Sequence, residues 1–537
     1  MAAGQSDKEP FYITTAISYV NGPPHLGHAY EAISTDVIAR FKRLDGYDVM
    51  FLTGTDEHGQ KVEKTARAAG KEPKAFSDEI AALFKEMVAE LNISNDDFIR
   101  TTEPRHYKAS QGIWRKLEES GDIYLGKYKG WYSIRDEAFY AESELTKAED
   151  GSFRGPTDTG VEWVEEESYF FRLSAYQGKL LEHYEANPDF IMPGFRRNEV
   201  VNFVNQGLRD LSVSRKSFDW GVPVPGDPDH VMYVWLDALT NYITAVGYPD
   251  ENDPLYQRYW PADVHIIGKD IVRFHAVYWP AFLMSAGVPL PKRVFGHGFL
   301  TVEGAKMSKS VGNVVTHHDL IAEFGLDQVR YFLMREVPYG NDGSFSRQAM
   351  IHRINGDLAN DLGNLAQRVL SMIAKNCDSK VPELGDGIEL SKEWPLLHAL
   401  VASQETIDRA RADIDSRLAI HDILEEIWKV VREANRFVDS MAPWALRKTN
   451  PVQMNAVLYV LAEAIRHIAI LAQPVMPIAC GRILDQLAVP SGERTFAHLN
   501  TDSIQGKHSL VAGTILPRPE GVFPRFVEPV AVEAAEN

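Results

Sequence analysis

The sequence predicts an α/β fold: a doubly wound parallel sheet interrupted by a mixed insertion domain and followed by an all-α helical bundle. Three observations predict it. Strand-like and helix-like runs alternate through the first 121 residues, the alternation resumes near 264–268 and 293–300, and beyond about 350 apolar residues recur at three- and four-residue steps.

The elements follow in order. Residues 1–10, MAAGQSDKEP, read as a disordered lead lacking the basic-then-apolar order of a secretory signal. Residues 11–121 form the first half of the sheet domain: strand 11–20, helix 26–44, apolar run 47–53, mostly helical 57–90, strand 97–102, and helix 108–121 stopped by Gly121. Residues 122–230 change texture, with the aromatic run KYKGWYSIRDEAFY, the acidic VEWVEEESYFF and the break IMPGF, and are expected to be the insertion. Residues 231–300 complete the sheet domain, and 301–350 begin with a Gly/Lys-rich loop. In 351–500, Ile351, Ile354, Leu358, Leu362, Leu365, Val369 and Met372 make one apolar stripe, with further periodic segments over 395–437 and 452–472. Residues 501–537 are a tail punctuated by Pro and Gly.

A chain of 537 residues is too long for one core and predicts about three or four domains. With 45% hydrophobic and 24% charged residues it has an ordinary globular composition. No window approaches ~18 consecutive apolar residues, so no membrane span is expected. Two cysteines, Cys377 and Cys480, exclude a disulfide scaffold and a four-thiolate zinc site. The net charge of −19 opposes a polyanionic partner at long range. Local basic patches still act within ~8 Å at physiological salt.

Two short stretches carry chemistry. In PPHLGHAYEAISTD, His25 and His28 bracket Leu26 and Gly27 where a strand hands over to a helix. Gly27 permits close approach to the backbone, the helix start offers free N–H groups, and neutral imidazoles can donate to phosphate oxygens. The plainer reading is an ordinary turn with incidental histidines. In GAKMSKSVGN, Lys306 and Lys309 flank Met307 and Ser308 between glycines. Lysines on a mobile loop can neutralise charge on a departing phosphate, and the plainer reading is a solvated loop.

Together, the His-x-Gly-His turn and the Lys-Met-Ser-Lys-Ser loop resemble the two signatures of class I aminoacyl-tRNA synthetases. Over almost the whole chain the sequence is similar to their methionyl branch. The resemblance implies a Rossmann-like catalytic domain, with 301–350 as the lysine loop and stem-contact region and 351–500 as the anticodon-binding domain. His25, Gly27, His28, Gly268, Asp270, Lys306, Ser308 and Lys309 then match the ATP site, with His25, His28, Lys306 and Lys309 carrying catalysis by charge stabilisation. Ile17, Tyr19, Trp235, Ala238, Leu239, Tyr242, Phe274 and His275 match the pocket for the methionine side chain, and Asp56 the acid that holds its amino group. Leu239 departs from relatives that carry proline there. A thioether suits such an apolar, aromatic pocket with one polar group near the sulfur, for which Tyr19 and His275 are candidates. In the helical region Asn360, Asn364 and Arg368 step by four and share a polar face, and Trp444 offers a stacking platform. The last three match residues that read the CAU anticodon.

Many relatives bind zinc in the insertion through paired cysteines. Here Ser133 and Asp136 stand at that spacing, so no structural zinc is expected, and Trp131, Tyr132, Phe139 and Tyr140 are expected to hold the knuckle by packing. The implied partners are L-methionine, ATP with Mg²⁺, and tRNA(Met) including the initiator, with no membrane. A cytoplasmic monomer is expected. Two alternatives stay open: a class I synthetase for another apolar amino acid, which usually carries a larger editing insertion, and a catalytically silent tRNA-binding paralogue. Methionine-dependent pyrophosphate exchange distinguishes all three.

Overall fold

The computed structural model describes residues 7–135, 138–140, 142–148, 150–304, 315–384, 395–416, 418–499 and 506–528. The lysine loop, with Lys306, Ser308 and Lys309, lies outside them, as does Asp136. The chain divides into two compact units: residues 1–39 with 48–299, and residues 40–47 with 300–537.

In the first unit seven strands pair in parallel. Their order runs Ile191–Met192, Val294–His297, Val264–Gly268, Pro10–Thr15 and Asp48–Asp56, and the last pairs also with Ser18–Tyr19 and Asp97–Arg100. The central strands are buried along nearly their whole length, as expected where helices cover both faces. The expected strand 11–20 is two strands, Pro10–Thr15 and Ser18–Tyr19. The expected helix 57–90 is also two, Gln60–Ala68 and Pro73–Glu90, because left-handed Gly70 and Pro73 separate them.

The insertion expected over 122–230 is interrupted. Strands Ile123–Ser133, Ala138–Tyr140, Glu162–Phe171 and Leu211–Ser212 form an antiparallel sheet. Within that span, however, Ile191 and Met192 pair with Val294 and Phe295 of the parallel sheet. Phe171, Leu180, Tyr184, Phe190 and Val204 also belong to the same buried cluster as Leu52, Ile113 and Trp279. Apolar continuity rather than loop composition sets this boundary. In the antiparallel sheet Trp131 packs against Phe153 and Trp163 at 4.7 and 5.3 Å, and the buried Ser133 hydroxyl pairs with Thr159 at 3.0 Å. Among the described residues no group of three or more His, Cys, Asp or Glu is arranged to hold a metal ion.

The second unit is largely helical. The stripe predicted over 351–372 is buried at Ile351, Ile354, Leu358, Leu362, Leu365 and Val369, whereas Met372 is half-buried and Ile373 takes the core position. The helix is not uniform: Arg347–Arg353 and Asn364–Asn376 are α-helical, but Ile354–Gly363 is a π-helix. Helix Pro451–Ala472 is long and apolar enough to cross a bilayer by length and composition, although no run in the sequence suggested it. It is a core helix instead, with 94% of its most apolar window buried. Its buried Glu463 accepts from Arg466 Nε at 2.9 Å and from the backbone N–H of Leu510.

Candidate active site

The carboxyl ends of the parallel strands gather the first unit's candidate residues. Asp56, Gly268 and His297 each end a strand, and Tyr19 is the register partner of Asp56 as Gly268 is of His297. Ligands bind at this edge in open parallel sheets.

The His25–His28 turn opens helix Leu26–Leu44. Its imidazoles lie 3.9 Å apart between ring centroids, and His28 meets the edge of Phe84 at 5.0 Å. Each Nδ1 accepts a backbone N–H: Gly27 donates to His25 at 3.1 Å, and His25 donates to His28 at 3.2 Å. In the neutral ring the proton therefore sits on Nε2, which presents N–H groups rather than fixed charges. Desolvation holds His25 below the ordinary imidazole pKa although its edge reaches solvent. A Cβ on Gly27 would stand 2.9 Å from His25 Cε1, so glycine makes room for that ring.

Helix Val234–Leu239, the following turn Asn241–Thr244 and the π-helical turn Phe274–Tyr278 bring the expected side-chain pocket together. Trp235 and Phe274 stack at 3.8 Å, 6° from parallel. Ile17, Tyr19, Trp235 and Phe274 are half-buried against the core that contains Leu239 and Tyr242, and Ala238 is buried. The buried Trp235 Nε1 has no partner among the described residues. His275 Nδ1 donates to the Ile271 carbonyl at 3.0 Å, so its Nε2 accepts from the Tyr242 hydroxyl at 2.7 Å. Burial lowers His275 to about 4, keeping the ring neutral. Tyr242 also stacks on His265 at 3.9 Å.

Several polar residues at this edge are not legible in the motifs. His297 pairs with Glu31, one turn after His28 on the same helix, at 2.8 Å. Desolvation and the nearby Asp270 push Glu31 up, against the pull of His297. The buried Asp237, inside the apolar run YVWLDAL, takes His58 Nδ1 at 2.6 Å and His106 Nε2 at 2.7 Å. Burial alone would raise Asp237, but the two imidazoles overcome it and hold the carboxylate down to about 2. An acid within an apolar helix is the one signal that could have pointed there, because a buried charge needs partners.

In the second unit Asn364 and Arg368 share one face of helix Asn364–Asn376. Asn360 lies in the preceding π-helical segment Ile354–Gly363, four residues before Asn364. Arg368 donates to Asp439 at 2.9 Å, and its guanidinium lies 5.7 Å from the Trp444 ring. Trp444 is 51% exposed, just after left-handed Ala442 and Pro443 turn the chain out of helix Ile420–Met441.

Comparison with known proteins places this arrangement. Residues 11–149 and 156–370 match the family of class I tRNA synthetases (M), and residues 381–533 match the anticodon binding domain of methionyl tRNA ligase. Asn360, Asn364 and Arg368 thus fall in the first match and Trp444 in the second. The methionine–tRNA ligase of Brucella suis biovar 1 is 59% identical over 521 residues, 97% of this chain and 99% of the relative. That of Rhizobium meliloti is 58% identical over 525 residues, covering 98% and 100%. The fold is similar to that of Mycobacterium tuberculosis methionyl-tRNA synthetase in complex with methionyl-adenylate. The TM-score is 0.91 at 55% identity, over 96% of this chain and all of that one. For the apo form of that enzyme the TM-score is 0.86 at 51% identity, over 98% of this chain and all of that one.

Proposed function

The chain belongs to the methionyl family of class I aminoacyl-tRNA synthetases, and from that membership we propose how its residues charge tRNA(Met) with methionine. In the first step a carboxylate oxygen of L-methionine attacks the α-phosphorus of ATP. The bond to the bridging oxygen breaks and pyrophosphate leaves. In the second, a terminal ribose hydroxyl of the tRNA attacks the acyl carbonyl of methionyl-adenylate, and AMP leaves. The observation that carries the reading is the match of both the synthetase and the methionyl anticodon-binding families within one chain.

No side chain needs to form a covalent bond. His25 and His28 donate from Nε2 to phosphate oxygens, a role supported by the backbone donors that occupy both Nδ1 atoms. Lys306, Ser308 and Lys309 draw on the departing pyrophosphate, and Mg²⁺ enters with the ATP phosphates. Gly268 and Asp270 meet the ribose; their place at a strand's carboxyl end supports this. Asp56 holds the amino group, and Ile17, Trp235, Ala238, Leu239 and Phe274 enclose the side chain. Both nitrogens of His275 are already bonded, so it shapes the pocket by fixing Tyr242 rather than by donating to sulfur. That leaves Tyr19 as the polar neighbour of the thioether. Asn360, Asn364, Arg368 and Trp444 read the anticodon. Initiator and elongator tRNA(Met) share CAU, so both are substrates.

Methionine-dependent exchange of pyrophosphate into ATP tests the first step, and charging of tRNA(Met) tests the second. Lys309→Ala is expected to cost roughly 2.7–4 kcal/mol in kcat of exchange, the size of a lost charge-stabilising donor. An unchanged kcat removes that lysine from the mechanism. No methionine-dependent exchange by the unaltered protein removes the activity.

A further inference from the structure

Behind the pocket residues lies a polar cluster that none of the proposed steps uses. Asp237 is wholly buried, as are His58 and His106. Its Oδ2 meets His58 Nδ1 at 2.6 Å and its Oδ1 meets His106 Nε2 at 2.7 Å. The outer nitrogens are held too: His58 Nε2 by the Tyr107 hydroxyl at 3.0 Å and His106 Nδ1 by Thr244 at 3.1 Å. Trp220 packs edge-on to His58 at 5.3 Å, and its indole N–H donates to the Glu57 carbonyl at 2.6 Å. Such a cluster is a poor way to gain stability, since burying a carboxylate among polar partners roughly breaks even with apolar packing. What it supplies is a fixed distance, because each hydrogen bond specifies where its partner must be.

The three residues join elements that carry two halves of substrate recognition. His58 follows Asp56 by two positions. Asp237 follows Trp235 by two and precedes Ala238 and Leu239. His106 ties both to helix Pro104–Glu119. We propose that His58, Asp237 and His106 act as positioning residues that set the span between the amino-group anchor Asp56 and the thioether pocket, and so make the enzyme selective for the length of its amino-acid side chain. This rests on the methionine-activating reading above. Thermal motion of the anchor against an untied pocket helix would admit side chains one methylene shorter or longer, since the pocket alone separates such substrates by only about 10- to 200-fold.

The test measures pyrophosphate exchange with methionine, S-methylcysteine and ethionine on the full chain. Failure of the unaltered protein to use methionine ends the parent reading and is seen before any variant is made. Asp237→Asn keeps the shape and removes the charge. The expected result is a tenfold or larger rise in KM for methionine and a KM for ATP within twofold. The preference for methionine over S-methylcysteine, as a ratio of kcat/KM, should fall at least fivefold. A folded variant with an unchanged preference ratio overturns the proposal, because a purely structural role lowers all three substrates alike. Should Asp237→Asn not fold, His58→Leu carries the same measurement. His58→Asn, whose amide nitrogen stands where Nδ1 does and retains a donor for Asp237, is then expected to restore most of the ratio, and equal ratios in both His58 variants overturn the proposal.

Discussion

A single absent methyl group shows how tightly the His25–His28 turn is specified. At Gly27 a Cβ would approach His25 Cε1 to 2.9 Å and Nδ1 to 3.1 Å, and the ring can only swing away. Gly27→Ala is therefore expected to leave the thermal midpoint nearly unchanged while lowering kcat of exchange at least tenfold, read by circular dichroism and exchange kinetics together. A ring that titrates gives a second expectation. His275 is neutral in the folded chain down to about 4, whereas an unfolded imidazole takes its proton near 6.5. Between those values the unfolded chain binds more protons, so stability is full above pH 6.5 and falls as pH drops towards 4, by about 3 kcal/mol at most. The deeper-lying His265 adds in the same direction. In urea unfolding, the penalty of His275→Gln should be largest at pH 7 and shrink by pH 5. A penalty independent of pH would mean that His275 does not titrate as described. Residues such as His25 and His28 were legible because they stand within three positions of each other. His58, His106 and Asp237 were not, because 179 and 131 residues separate the partners and only the fold brings them together.

At the scale of elements, type was legible and hydrogen-bond register was not. The seven parallel strands mostly occupy apolar runs that the sequence marks, since burial on both faces demands such runs. The two-residue strand Ile191–Met192 is too short to give a pattern. The π-helical segments Phe274–Tyr278 and Ile354–Gly363 were invisible too, because an extra residue per turn barely alters apolar spacing over one or two turns. One carries Phe274 and His275 and the other Asn360, in keeping with the frequent use of such segments at functional sites. Sheet packing yields a prediction of its own. Gly54 is the register partner of Ile99, and a Cβ there would meet the Ile99 carbonyl oxygen at 2.1 Å and its Cγ2 at 2.6 Å. Backbone cannot swing aside as the His25 ring can. Gly54→Ala should therefore destabilise the sheet by at least the ~1–3 kcal/mol of ordinary overpacking, seen as a lowered urea midpoint.

For the molecule as a whole, the described candidates divide between the two compact units. Every described candidate for methionine or ATP belongs to the first unit, and Asn360, Asn364, Arg368 and Trp444 belong to the second. The net charge of −19 does not bar the second from meeting RNA when recognition is local, as proposed for the exposed indole beside a guanidinium that Asp439 orients. Stacking of a base on such a ring is worth ~1–3 kcal/mol, whatever the protein's total charge. Trp444→Ala removes a half-exposed ring. It is expected to lower kcat/KM for charging tRNA(Met) roughly 5- to 150-fold, the kinetic equivalent of that stacking energy. Methionine-dependent pyrophosphate exchange should stay within twofold, because adenylate formation needs neither the tRNA nor the second unit's recognition face. Arg368→Ala should behave in the same way and with a shallower salt dependence of tRNA binding, since one cation facing the RNA is gone. Parallel loss of exchange and charging in Trp444→Ala would instead make the tryptophan a structural support for the enzyme.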